Sequence, residues 1–173
     1  MKLAEERHLM AGPAVVWAAI SNPDSLRPCL PGCESLTGSA HDGFEAVVTQ
    51  RIGPLKVHFA SRITLTDIVD GKSLQISATS KGGAAGFAKG GAFVTIEAEG
   101  TGTKLTYEVE GVLGGKLARL GGRVIDSFAR GYAEAFFTRF QAALDDVEAP
   151  ETVEVAKDGE PVAVKRWFHR WVA

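Results

Sequence analysis

Residues 116–144 place an apolar side chain at every third or fourth position: Leu117, Leu120, Val124, Phe128, Tyr132, Phe136 and Phe140. Lys116, Arg119, Arg123, Asp126, Arg130, Glu134 and Arg139 occupy the other face. This period predicts a single amphipathic helix, about 43 Å long at 1.5 Å per residue. Gly114-Gly115 gives it a flexible entry, and Gly121-Gly122 falls within its first third. Two glycines inside a helix cost roughly 1–2 kcal/mol against alanine, so close approach of another backbone or of a ligand is expected there. Asp126 has Arg123 and Arg130 within helical reach, which suits a surface ion pair better than an acid–base couple.

The chain ahead of this helix has the period of strands. Leu55, Val57, Phe59, Ile63 and Leu65 share one parity, with His58, Arg62, Thr64 and Thr66 on the other. Leu74, Ile76 and Ala78 alternate with Gln75, Ser77 and Thr79, and Leu105, Tyr107 and Val109 alternate with Lys104, Thr106, Glu108 and Glu110. Half-buried antiparallel strands alternate in this way. Asp42-Gly43 and Asp70-Gly71 are hairpin signals; Gly100-Thr101-Gly102 is a third turn, and Gly53-Pro54 marks a bend. Residues 2–10 suit a first strand. Pro13 opens a short apolar run as the first turn of a helix does, and Asn22-Pro23 ends it. Residues 24–33, with Pro28, Pro31 and Gly32, read as short helix or loop.

This order predicts an α+β fold: a curved antiparallel sheet of about seven strands wrapped around a long C-terminal helix, with two short helices after strand 1. A concave sheet cannot press on a straight cylinder everywhere, so a cavity between them is the geometric expectation.

The chain has 173 residues, and roughly 100–200 residues make one domain. Residues 1–145 are read as that domain, 146–163 as an acidic Pro-containing linker and 164–173 as a basic aromatic tail. With 45% apolar and 23% charged residues, the composition excludes wholesale disorder, collagen and a disulfide framework. A net charge of −2 excludes a strongly basic nucleic-acid binder. The N-terminal MKLAEERHLM makes a poor signal peptide, and no stretch reaches the ~18 apolar residues of a spanning helix. Two cysteines without a secretion signal read as reduced and cytosolic.

Three segments carry a resemblance. Pro28-Cys29-Leu30-Pro31-Gly32-Cys33, Gly86-Phe87-Ala88-Lys89-Gly90, and the run from Gly114 to Gly121 with Ile125-Asp126 closely resemble the family of the carbon monoxide dehydrogenase G subunit (CoxG), a branch of the START-like (SRPBCC) helix-grip superfamily. The resemblance spans about residues 1–145. It implies a helix-grip fold and a non-enzymatic accessory role beside molybdenum hydroxylases of the carbon monoxide dehydrogenase type. It further implies a possible bound quinone of the menaquinone or ubiquinone type, and recruitment of the hydroxylase to the membrane.

The residues offer little catalytic chemistry. Cys29 and Cys33 supply two ligands where a zinc site wants four, so CLPGC reads first as a tight apolar loop at a cavity mouth. Residues 82–91 lack the GxxxxGK[ST] of a phosphate loop; they suit a glycine-rich hairpin, or a mobile loop carrying Phe87 over a cavity entrance. No nucleophile elbow is present. Phe59, Phe87, Phe93, Tyr107, Leu117, Leu120, Val124 and Phe128 are what an apolar cavity wants, and also what a core wants; with the resemblance they become the expected ligand-binding set. Leu30 and Pro31 join them at the entrance. The glycines beside Leu120 are expected to open room near the start of the long helix, while Phe136, Phe137 and Phe140 are expected to be solid core.

The tail is distinctive in its own right. On a helical wheel Trp167, Phe168 and Trp171 share a face with Val164 and Val172, opposite Lys165, Arg166, His169 and Arg170. A basic amphipathic segment with aromatic anchors has the composition of an interfacial membrane binder, each base contributing roughly 1 kcal/mol at an anionic surface. Ten residues are too few to be helical alone in water, so such a helix forms on contact. Folding back onto the domain, or docking on a partner protein, are the competing readings. Together these features point to a cytoplasmic carrier of a lipophilic molecule, peripherally associated with the inner face of the cell membrane. The alternative is an adaptor or assembly factor that recruits the hydroxylase without binding a ligand.

Overall fold

The computed structural model describes residues 1–148 and two short paired strands, Glu154–Val155 and Pro161–Val162. The first strand, β1 (Lys2–Leu9), is followed by helix α1 (Pro13–Ile20) and helix α2 (Pro23–Leu26). Pro13 opens α1 at its first turn, where no amide hydrogen bond is lost. Helix α1 ends at Ser21, whose backbone amide bonds back to Trp17, and the Asn22 side chain caps the next helix, accepting from the Asp24 amide at 2.9 Å. A 3-10 turn, Arg27–Cys29, leads into six strands: β2 (Cys33–Ser39), β3 (Gly43–Ile52), β4 (Leu55–Val69), β5 (Ser73–Lys81), β6 (Phe87–Glu99) and β7 (Gly102–Gly114).

Each consecutive pair from β2 to β7 is an antiparallel hairpin, and β1 closes the far edge against β7. The order is β1-β7-β6-β5-β4-β3-β2. The Asp-Gly and Gly-Thr-Gly signals all fall at hairpin turns, as expected. Helix α3 (Gly122–Glu148) crosses the concave face, giving the expected α+β helix-grip architecture. Within the acidic segment read as a linker, Glu154–Val155 (β8) pairs with Pro161–Val162 (β9); the aromatic tail 164–173 lies outside the described residues.

The long helix departs from expectation at its start. Residues Gly115–Leu120 form a 3-10 turn, and Gly121 has φ +87°. With ψ 156° this is a region essentially reserved for glycine, costing an L side chain about 1–3 kcal/mol, so the glycine pair is the joint before α3 rather than an interior weakness. The three-to-four-residue period hides this because a 3-10 turn also stacks positions three apart, as Leu117 and Leu120 are.

Candidate functional site

Strand alternation and register sort the concave side chains into rows. At one end Leu74, Val94, Ile96, Leu105 and Tyr107 are buried in one cluster with Phe140 and Leu144 of α3. Phe136 stacks on Phe140 with ring centroids 5.4 Å apart, and Tyr107 stacks on Phe137 at 5.3 Å. At the other end Ile52, Val57 and Phe59 close against Leu117 and Ile125. Between the two ends lie three rows: Ser61, Ser80, Ala88 and Leu113; then Ile63, Ala78, Gly90 and Gly111; then Leu65, Ile76, Ala92 and Val109. None of these twelve residues is buried, although all point to the side that α3 crosses. On α3, Phe128, Ala129, Tyr132 and Ala133 are only partly buried as well. Side-chain size contributes at seven of the twelve: the hydrogens, methyls and hydroxymethyls of Ser61, Ser80, Ala88, Ala78, Gly90, Gly111 and Ala92 are too short to fill the space beside their larger neighbours. The result is a concave face that is only half-buried through its middle rows, with packed core at either end.

The CLPGC loop flanks the helix beside these rows. The Cys29 thiol is buried and donates to the Ser25 carbonyl at 3.4 Å; the half-buried Cys33 thiol donates to the Ser35 carbonyl at 3.3 Å. Burial pushes both thiols above the ordinary range, which disfavours the thiolate that acts as a nucleophile. The Thr49 amide donates to the Gly32 carbonyl at 2.9 Å, and the Gln50 side-chain amide donates to the Pro31 carbonyl. A pocket of about 430 Å³ opens here between Asp24, Arg27, Leu30, Cys33 and Arg139. Burial, with Cys33 nearby, pushes the Tyr132 hydroxyl up to about 12, and that hydroxyl has no hydrogen-bond partner among the described residues. Among those residues, no three His, Cys, Asp or Glu side chains come together as metal ligands.

A family model described as the carbon monoxide dehydrogenase G subunit (CoxG) matches residues 6–145. The chain belongs to the CoxG family. No curated protein matches it. Among solved structures, a conserved protein from Geobacillus kaustophilus is 24% identical, with 84% of this chain and 96% of that one covered at a TM-score of 0.79. An uncharacterized protein from Rhizobium leguminosarum is 23% identical, covering 84% and 95% at a TM-score of 0.66. The protein TTHA0849 from Thermus thermophilus is 19% identical, covering 86% and 100% at 0.63. At these identities the structural likeness establishes the fold.

The CoxG chain gathers some of the expected ligand residues and scatters others. Phe59, Leu117, Leu120, Val124 and Phe128 do meet, in the second cluster. That cluster is closed rather than open: Leu117 is 0% exposed. A Cβ built on Gly121 or Gly122 meets nothing within 4 Å, and both residues are exposed, so no close approach of another backbone accounts for these glycines. The half-buried stretch lies further along, at the middle turns of α3. Tyr107 belongs to the packed end, where its hydroxyl donates to Glu5 at 2.6 Å. Arg7 donates to Glu5 at 2.9 Å and to Glu134 of α3 at 2.8 Å, clasping the edge strand to the helix. Leu30 lines the small pocket and Pro31 stands beside it, half-buried.

Phe87 and Phe93 are corrections. Both are 41% exposed, on the outer face of the sheet. Phe93 pairs with Glu108 and Gln75, while its neighbour Val94 takes the concave side. Phe87 lies over Gly114, where an added Cβ would clash with the ring, with the Lys89 ammonium 5.6 Å from its centre. Parity decides this: Phe87, Lys89 and Phe93 fall on the same side of β6, opposite Ala88, Ala92 and Val94. The expected surface pairing of Asp126 is also not formed, since it has no ion-pair partner among the described residues. A separate groove of about 830 Å³ runs over the outer face between Glu45, Arg62, Thr79, Lys81 and Lys89.

The small residues of the middle rows were not picked out from the sequence. Their signal is small side chains, Ser61, Ala78, Ser80, Ala88, Gly90 and Gly111, recurring at apolar parity in four neighbouring strands. It becomes visible only once register aligns them.

Proposed function

We propose that this CoxG chain is a non-enzymatic accessory protein of a molybdenum hydroxylase of the carbon monoxide dehydrogenase type. In this reading it holds a lipophilic, quinone-like molecule of the menaquinone or ubiquinone type between sheet and helix. The observation that carries the reading is the row of concave residues left unburied between two packed clusters. Ile63, Ile76, Val109 and Leu113 are large apolar side chains on the concave face that pack at the margins of the clusters and are only half-buried, and apolar surface left in that state gains about 25 cal/mol for each Å² a ligand removes from water. The family supports the accessory role beside the dehydrogenase. The sequence of the tail supports the meeting with the bilayer: Trp167, Phe168 and Trp171 would enter the interface while Lys165, Arg166 and Arg170 face anionic headgroups. Among the described residues no helix is long and apolar enough to cross a membrane, which fits contact with the surface.

The adaptor reading draws on the outer face. Phe87, Phe93 and Val112 are exposed there, and apolar side chains on an otherwise polar sheet face suit a protein contact. Native mass spectrometry of protein purified without detergent, followed by solvent extraction, separates the two. The carrier reading expects a bound prenylated species. Extracts that contain none, and no uptake of a quinone supplied in liposomes, would favour the adaptor. Removing residues 164–173 is expected to reduce co-flotation with anionic liposomes while leaving quinone capacity in solution unchanged.

A further inference from the structure

Ser61 and Ser80 face each other across β4 and β5, and their hydroxyl oxygens lie 2.7 Å apart. Both stand on the concave face, in the row they share with Ala88 and Leu113. Two serine hydroxyls carry two hydrogens between them. Their mutual bond commits one, and no other bond of either hydroxyl is formed among the described residues. One O–H is therefore left on a largely apolar wall. A polar hydrogen removed from water without an acceptor costs more than the bond itself returns when made. A purely hydrocarbon ligand covering this wall meets that cost, and a ligand with an oxygen acceptor avoids it.

We propose that the Ser61–Ser80 pair is the polar anchor of the concave face and donates its uncommitted hydrogen to a carbonyl oxygen of an otherwise apolar ligand. This rests on the carrier reading above and adds to it the groups that hold the ligand's carbonyl. The ligand class is a lipophilic ketone or quinone, not a simple acyl chain or hydrocarbon. The mutual bond also makes the pair self-compensating: with either serine replaced by alanine, the remaining hydroxyl keeps a hydrogen to offer.

The test uses two probes of one shape, 2,3-dimethyl-1,4-naphthoquinone and 2,3-dimethylnaphthalene. The full ring substitution keeps the quinone from adding to Cys29 or Cys33. Each is titrated into the full chain and into the S61A/S80A double variant. The expected result is that the double variant binds the quinone about three- to tenfold more weakly and the hydrocarbon more tightly than wild type, because no uncommitted O–H is then covered. The S80A single variant should keep quinone affinity within about twofold, since Ser61 then donates alone. Hydrocarbon binding reports in the same experiment that the variant is folded. If the double variant weakens both probes equally, or neither, the anchor is wrong while the carrier reading stands. If the wild-type chain takes up neither probe, the carrier reading fails and the anchor fails with it.

Discussion

The two halves of α3 lie on the same sheet and do opposite things. From Phe136 to Leu144 the helix presses onto Leu74, Val94, Ile96 and Leu105, and that end is dry core. From Phe128 to Ala133 the helix is only half-buried, and so are Ala78, Ala88 and Gly111 in the middle rows of the sheet, with Gly90 exposed. The helix itself does not explain the difference, because it carries bulky aromatic side chains in both stretches. What changes is the sheet, where large side chains give way to small ones in the middle rows. Room for a ligand in this fold would come from what the strands omit, with the two flanking clusters holding the walls apart.

The comparison breaks most visibly if the packed end proves as tolerant as the middle. Phe140→Ala removes a fully buried ring from a stacked pair, and a large-to-small change of this kind costs about 3–5 kcal/mol. Urea unfolding monitored by circular dichroism should show that loss as a lower midpoint; a change below about 1 kcal/mol would mean that this end is not core. A smaller effect is expected at the border between 3-10 turn and helix. Gly121→Ala forces an L residue to φ +87° and ψ 156°, costing about 1–3 kcal/mol although the new methyl meets no neighbour. The same unfolding measurement reads it, and an unchanged midpoint would place Gly121 in ordinary helix.

The smallest effect is on pH, at the polar clasp of the packed end. The Tyr107 hydroxyl holds the Glu5 carboxyl below the usual carboxylate range, with Arg7 adding to it. A lowered folded value means that the clasp contributes stability above about pH 4.3, the ordinary glutamate value, and loses it as pH falls through the lowered value. Thermal melts between pH 6 and 3 should therefore drop more steeply for wild type than for Tyr107→Phe. Parallel curves would remove Tyr107 as the cause.

The sequence discloses much of this molecule because its strongest signals are periodic. Alternation through β4, β5 and β7 is enforced by a sheet with one wet face, and the Asp-Gly pairs at the hairpins need special backbone geometry that few other residues supply. The five apolar residues that meet in the second cluster were readable for the same reason. Phe87 and Phe93 were misread because aromatic character was weighed without parity, in a strand whose pattern Gly90 and Gly91 blur. The half-buried middle stayed hidden because it is a property of register. Ser61, Ala78 and Gly90 are unremarkable in their own strands and become a wall only when Ser61 pairs with Ser80 and Ala78 with Gly90. The start of α3 was misplaced because a 3-10 turn and an α-helix share the spacing of three.

The central claim is that the middle of the concave face is room for a ligand and not core, and Ala78→Leu tests it directly. The larger side chain would fill that room from the row it shares with Ile63 and Gly90. Overpacking a true core costs about 1–3 kcal/mol. The measurement is a fluorescence titration of 2,3-dimethylnaphthalene into wild type and variant, with urea unfolding of both. The account expects wild type to take up the probe and Ala78→Leu to lose it at least tenfold, with stability within about 1 kcal/mol of wild type. A variant that is strongly destabilised, or one that binds the probe as wild type does, would contradict it.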